Sequence, residues 1–358
     1  MKRYILLIVL ASLVVESVHS QSTFQEKIKG YDDICFCNVG LAHPMEILGL
    51  DNNMEILFAL KTGQTLHGLD NIGIKYTRSQ LKLMVLSGLV EKTDSIYQTR
   101  IPILSKNETI QLRDETSKIA KEIVPLLKED NDRLFKTLNS QGLQKNSYSL
   151  FFAFVLDGLV WDILEQDNDI EATYIAEDKP FWNGTFWMIE PKREFSCGTN
   201  SLSSGDFSIS VNWSDNSKIS VLSYKMLREF LDDYKLNGRV TKPEIFKAFE
   251  KNDLFSKTGV LQIPVIKADS SNVIYMQSKS IALKVVDYLE NRIDYSLILP
   301  DYSGLTKGQK ITILYHEIMW DILDLMEEKG QIKKPIAFSD PEAATSEDLK
   351  DLIFIVKE

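Results

Sequence analysis

The chain spells one helix twice, and that repetition limits the architectures open to it. Residues 150–164 and 311–323 run apolar on nearly every side, and both end in Trp-Asp-Ile-Leu. A helix without a polar face has to be packed all round by its own protein. Two of them predict two matching core positions. Trp161 and Trp320 would be the large structural side chains there, with Asp162 and Asp321 beside them.

The similarity extends past the helix. Thr77-Arg78-Ser79-Gln80-Leu81 matches Thr241-Lys242-Pro243-Glu244-Ile245, Ile101-Pro102-Ile103 matches Ile263-Pro264-Val265, and Ile119-Ala120 matches Ile281-Ala282. The matches keep their order at a spacing of roughly 160 residues, far longer than a solenoid repeat. We therefore expect an α+β chain of two tandem related units, residues 21–190 and 191–358. Each would be helix-rich with a β-hairpin and a buried Trp-Asp-Ile-Leu helix, and the second would open on a hairpin over 207–222.

Within each unit the local signals run in the same order. Residues 52–62 are expected to be helical, capped by Asn52 and closed by Gly63. Thr77 and Gln80 form a capping box for a second helix, which Gly88 ends. Thr241, Pro243 and Glu244 start its counterpart, and proline is harmless in a first turn. Strands are expected at 90–92, 96–104 and 110–112, and again at 260–266 and 272–276. Long helices are expected at 114–128, bent at Pro125, and at 277–291. Ser147 and Thr306 would cap the Trp helices, and apolar strands at 186–189 and 352–356 close the units. Residues 207–213 and 218–222 alternate strictly around Ser214 to Ser217, which reads as a hairpin.

Helix, short turn, capped helix, Gly-Leu-Val-Glu and hairpin, carried by residues 77–100, resemble the winged-helix superfamily. The second copy, 240–266, matches it less well, and no catalytic motif lies inside either. The resemblance implies a helix-and-hairpin core in each unit. In that superfamily the capped helix commonly meets DNA, with basic residues toward phosphate. Lys75, Arg78, Lys82 and Lys92 would stand there in the first copy. Lys242, Lys247, Lys251 and Lys257 would stand there in the second, diluted by Glu244 and Glu250. Tandem copies in one chain would imitate a symmetric dimer, with the Trp helices packed about a pseudo-twofold axis.

The first twenty residues read as a secretory signal. Lys2 and Arg3 precede an apolar run over 4–15 broken only by Ser12, and Val18-His19-Ser20 suits a cut before Gln21. The alternative is an uncleaved anchor. No later stretch reaches about 18 uninterrupted apolar residues. Residues 150–164 come nearest, and Asp157 and Asp162 would be costly in lipid. The formal charge is −10, and loss of Lys2, Arg3 and Glu16 makes it one unit more negative. Such a surface repels nucleic acid and anionic membranes, so export and charge together argue against DNA.

Cys35, Cys37 and Cys197 are the cysteines. Export permits a disulfide, and an odd count leaves one thiol over. A bridge from Cys197 to Cys35 or Cys37 is expected. Free buried thiols are one alternative, and a soft metal such as Cu(I) held by Cys35, Cys37 and His43 is another.

His316, Glu317 and Asp321 put an imidazole among carboxylates. A zincin needs a second His four residues after the first, and position 320 is Trp, so that motif fails. What remains is a core histidine bonded to a carboxylate or an acid–base centre. The matching positions in the first unit are Asp157 and Gly158. The aromatic run 181–187, with Trp213, reads either as a face for a sugar or peptide or as a strand covering the core. There is no Gly-x-Ser-x-Gly elbow, phosphate-binding Gly loop or dinucleotide fingerprint, so no cofactor and no resident metal are expected.

These readings add up to an exported, non-enzymatic binding or scaffold protein for a protein or small extracytoplasmic ligand. One alternative is a hydrolase, metal-dependent or acid–base, using His316, Glu317 and Asp321. The other is a DNA-binding regulator, should the N-terminal segment not be a signal.

Overall fold

The structure, a computed structural model, describes residues 28–171, 173–214, 223–249, 252–302, 304–340 and 346–358. The expected signal and the strand at 218–222 fall outside them. The chain is α+β. It forms two compact units, each assembled from three stretches of chain. The first takes Met1–Arg113, Ile170–Arg193 and Ser296–Ile313, and the second takes the remainder.

In the first unit, β1 (Asp32–Val39) is followed by α1 (Pro44–Leu48), α2 (Asn53–Ala59), α3 (Leu66–Asn71) and α4 (Arg78–Leu86). Then come β2 (Val90–Thr93), β3 (Ile96–Thr99), β4 (Ile103–Leu104) and, much later in the chain, β5 (Trp182–Ile189). The capping box of α4 is present: Gln80 N–H donates to Thr77 Oγ1 at 3.1 Å and Thr77 N–H to Gln80 Oε1 at 2.8 Å. Gly88 follows at φ 77°. Asn52 does not cap α2. Its Nδ2 donates to the Lys75 carbonyl at 2.7 Å, and its Oδ1 accepts from Gln80 Nε2 at 3.0 Å. Ile47, Ile56, Leu57, Leu81 and Met84 bury the apolar helix faces in one core with Phe186 and Met188 of β5. Each such side chain stabilises the unit by about 1.5–3 kcal/mol. The late stretch is tied in by two hydroxyls. Tyr302 donates to the Ile103 carbonyl at 2.6 Å, and Thr306 to Glu171 at 2.7 Å.

Strand β5 lies between an antiparallel β1 and a parallel β4. Cys35 stands opposite Phe186, Cys37 opposite Gly184, and Ile103 opposite Met188. The Met188 N–H bonds the Pro102 carbonyl at 2.9 Å. Strands β2 and β3 form a separate hairpin.

The second unit contains most of α5 (Lys106–Ser140), α6 (Gln144–Gln166), β6 (Cys197–Ser204), β7 (Phe207–Ser214), α7 (Tyr224–Asn237) and α8 (Pro243–Phe249). It continues with β8 (Val265–Lys267), α9 (Val273–Asn291), most of α10 (Lys307–Glu328), α11 (Ile336–Ser339) and β9 (Ile353–Lys357). Its sheet runs β6-β7-β9-β8, with β9 antiparallel to β7 and parallel to β8. The Ile355 N–H bonds the Pro264 carbonyl at 2.9 Å. In both sheets, then, the last strand in the chain lies between an antiparallel and a parallel neighbour and bonds the carbonyl of an Ile-Pro step.

Several local expectations are corrected. Residues 110–112 belong to α5 and 272–276 open α9, where Asn272 Oδ1 accepts from Tyr275 N–H at 3.0 Å. Runs of three to five residues fit both periods, and length alone cannot separate them. The helix expected at 114–128 runs from Lys106 to Ser140, with Pro125 inside it. Strand β7 makes a hairpin with β6 upstream, through Gly205 and Asp206. Ser147 caps nothing; its Oγ donates to the Gln144 carbonyl. By length and composition α6 is apolar enough to cross a membrane, contrary to expectation, yet 78% of its most apolar window is buried inside the protein.

Over Leu150–Leu159, α6 widens to a π-helix, in which each N–H reaches five residues back, as from Val160 to Val155. Trp161 and Trp320 are 5% and 6% exposed. Trp161 meets Tyr315 of α10 edge-on at 4.6 Å, and Trp320 meets Phe152 of α6 at 5.7 Å. Each tryptophan thus rests on an aromatic ring of the other Trp-Asp-Ile-Leu helix. Asp162 is exposed, so it takes no part in that packing, while Asp321 is half-buried.

Candidate functional site

In the second unit, α6 and α10 bring Asp157 and His316 together. The π-helical stretch carries Asp157, and wide turns of this kind concentrate at functional positions. Trp161 Nε1 donates to Asp157 Oδ1 at 3.3 Å. Burial pushes the Asp157 carboxyl up to about 6, opposed by the His316 imidazole and by hydrogen bonds from Trp161 and Thr199. His316 Nδ1 lies 3.3 Å from Glu317 Oε1. The Tyr315 hydroxyl donates to the Leu156 carbonyl at 2.7 Å, and burial, then the Asp157 charge, raise its pKa well above the ordinary value. Glu317 is 0% exposed, and a side chain without surface cannot touch a substrate. In the sequence Asp157 stands out only as the position matching His316, with no role assigned to it.

In the first unit, β1 directs Cys35 and Cys37 to one face, two residues apart. His43 is the N-cap of α1. Its Nδ1 accepts from Met45 N–H at 3.1 Å, and its own N–H donates to Glu46 Oε2 at 3.3 Å. That leaves Nε2 facing the Cys35 sulfur at 3.5 Å. The two sulfurs and a His43 nitrogen all lie within 4.8 Å of one another, and the three residues are half-buried. The thiols share a hydrogen bond. It holds the Cys37 thiol below its ordinary range and, with burial and the neighbouring charge, raises Cys35.

The expected bridge to Cys197 is absent: Cys35, Cys37 and Cys197 form no disulfide among the described residues. Cys197 belongs to the second unit, buried, with its sulfur 3.8 Å from the Tyr148 hydroxyl. Gly184 lets β5 come close to β1. At φ 133°, an added Cβ would lie 2.2 Å from the Phe36 carbonyl oxygen and 2.7 Å from Cys37 Cα.

A cleft of about 250 Å³ lies along the other edge of β5, lined by Trp182, Gly184, Phe186, Arg100, Lys179 and Gln309 among others. The backbone parity of β5 explains it. Gly40 N–H bonds the Phe181 carbonyl at 2.8 Å and Met188 N–H bonds Pro102, so odd-numbered residues of β5 turn toward β1 and even ones away. Strand β4 pairs only with Met188 and Ile189. Gly184 and Phe186 therefore direct backbone groups away from β1 with no strand partner there among the described residues, and the Gly184 N–H is taken by Asn183 Oδ1 at 3.1 Å. The indole N–H of Trp182 is buried without an acceptor among them. Lys179 Nζ donates to Asn183 Oδ1 at 2.9 Å, and Arg100 Nε lies 4.0 Å from Glu91. Within the aromatic run 181–187, Phe186 packs in the core and Trp182 borders the cleft.

Comparison with protein-family models, with curated proteins and with solved structures found no match.

Proposed function

We propose that this chain is a non-enzymatic binding protein acting outside the cytoplasm, with the cleft beside β5 as its seat for an extended peptide. The observation that carries this reading is the open edge of β5. A peptide laid along it continues the sheet where β4 stops, which is how strand addition recruits a ligand. Main-chain bonds to the Gly184 carbonyl and to Phe186 would supply affinity. A carbonyl of the guest would satisfy the Trp182 indole, and Arg100 and Lys179 favour a carboxylate on it. Action outside the cytoplasm rests on the basic start, the apolar run and the cut before Gln21.

We also infer that the two halves descend from one winged-helix-like module. The capped α4 followed by the β2–β3 hairpin supports this, as do the two sheets that share strand order and the Ile-Pro hydrogen bond. Asp157 and His316, matched by the repeat, face each other, as matched positions do beside a twofold axis. The hydrolase reading has no such support, because Glu317 has no exposed surface.

An array of immobilised hexapeptides probed with the mature chain tests the binding role. Binders in the micromolar range are expected, weakened at least tenfold in an Arg100→Glu, Lys179→Glu variant of unchanged circular dichroism. Absence of any binder, or binders indifferent to the double substitution, rejects the role.

A further inference from the structure

We propose that Cys35, Cys37 and His43 hold a thiophilic d10 cation, Zn(II) or Cu(I), in a site separate from the peptide cleft. The strand itself gives the first argument. Residues two apart on one face sit roughly 6.6–6.8 Å apart along a strand. That is the upper limit of the Cα spacing a disulfide spans, about 4.4–6.8 Å. Strand β1 has no freedom to buckle and close that gap. Ile34 and Phe36, flanking Cys35, are paired with Trp187 and Thr185, and the Gly184 backbone lies against Cys37. Two sulfurs held on one face and kept from relaxed bonding to each other are placed to share a third atom instead.

The imidazole gives the second. A tetrahedral ion with M–S near 2.3 Å and M–N near 2.0–2.1 Å has an S···N edge of roughly 3.5–3.6 Å. Cys35 Sγ and His43 Nε2 are 3.5 Å apart. Two thiolates and one imidazole form a soft donor set that selects Cu(I) or Zn(II) over the hard cations. They complete a trigonal Cu(I) site, or leave a fourth corner of Zn(II) for water. The site is half-buried, so an ion can enter. Asp33, two residues before Cys35, adds negative charge.

Binding rearranges protons in a defined way. In the free chain Nδ1 accepts from Met45, so the ring proton is on Nε2. On loading, the thiol protons leave to solvent and the ring proton moves to Nδ1, which frees Nε2 for the ion. The Met45 cap bond is lost, while the Glu46 half of the capping box remains. Loading thereby loosens the first turn of α1.

The test is a titration of the reduced, metal-free mature chain with Zn(II), and separately with Cu(I), against a chromophoric chelator. One equivalent is expected to bind, with sulfur neighbours near 2.3 Å by X-ray absorption. Comparing the two affinities identifies the resident ion. Cys35→Ser or Cys37→Ser should weaken binding more than about 100-fold, beyond what outer-shell losses cost. His43→Asn keeps a capping acceptor and should still weaken binding about tenfold or more. Should the serine variants fail to fold, alkylation of the unaltered chain decides. Zn(II) or Cu(I) should slow iodoacetamide labelling of Cys35 and Cys37, read by mass spectrometry, and leave Cys197 unchanged. No stoichiometric binding of either ion, binding that survives the double serine variant, or labelling indifferent to metal overturns the site. A failed titration leaves the peptide cleft untouched, because the two share no ligand atom.

Discussion

Replacing Asp157 with Asn should make the protein more stable at neutral pH and change nothing at pH 4. The folded chain raises this carboxyl from 3.8 to about 6, chiefly through burial. At about 1.4 kcal/mol per pH unit, that difference is worth at most about 3 kcal/mol. The sign follows from proton counting. Between about pH 4 and 6 the folded chain holds a proton that the unfolded chain releases, so stability is full below about pH 4 and falls as pH rises through 6. Asparagine keeps the acceptor for Trp161 Nε1 and removes the charge. Urea unfolding followed by tryptophan fluorescence, at about pH 4, 5 and 7.5, measures the difference between variant and parent. It should grow from near zero to between 1 and about 3 kcal/mol in favour of the variant. A difference that stays constant with pH, or a variant less stable at pH 7.5, refutes the argument that the Asp157 carboxylate is buried at a cost.

Other expectations are local. Thr77→Ala removes the Oγ1 that accepts from Gln80 N–H and should cost about 1 kcal/mol in chemical denaturation. Gly184→Ala puts a Cβ 2.2 Å from the Phe36 oxygen, so a melting temperature at least several degrees lower is expected. Asp233 accepts N–H groups of Thr241 at 2.6 Å and Lys242 at 3.0 Å. Against a burial cost, those bonds and Asn237 hold its carboxyl below the usual range. Its stabilising contribution is therefore present above the ordinary carboxylate pKa and lost as pH falls through the depressed value. An acid titration of Asp233→Ala should show a shallower loss than the parent. Trp320→Ala should cost about 3–5 kcal/mol by urea unfolding, from the cavity left beside Phe152.

What could be read in the sequence was whatever adjacent residues decide. The Thr77–Gln80 box, the Thr306–Gln309 box and the left-handed Gly88 are set within one turn, and all are present. The closing strands could be read because apolar runs bounded by breakers admit few conformations. Residues 110–112 and 272–276 could not, since short apolar runs carry no period. The widened turn over Leu150–Leu159 has no compositional mark at all. The Cys197 bridge failed for a different reason: three cysteines in a sequence do not say which of them become neighbours in space. His316 and Glu317 were singled out for their chemistry, but only packing could supply Asp157 or seal Glu317.

The three-stretch composition of each unit bears on how the protein is made. The first unit lacks Ser296–Ile313 until that stretch leaves the ribosome, long after Arg113. At about 5–20 residues per second, the delay is on the order of 10–40 s. In that interval the chain already carries the core residues from Ile47 to Met188 but lacks Tyr302 and Thr306, whose hydroxyls tie the late stretch to Ile103 and Glu171.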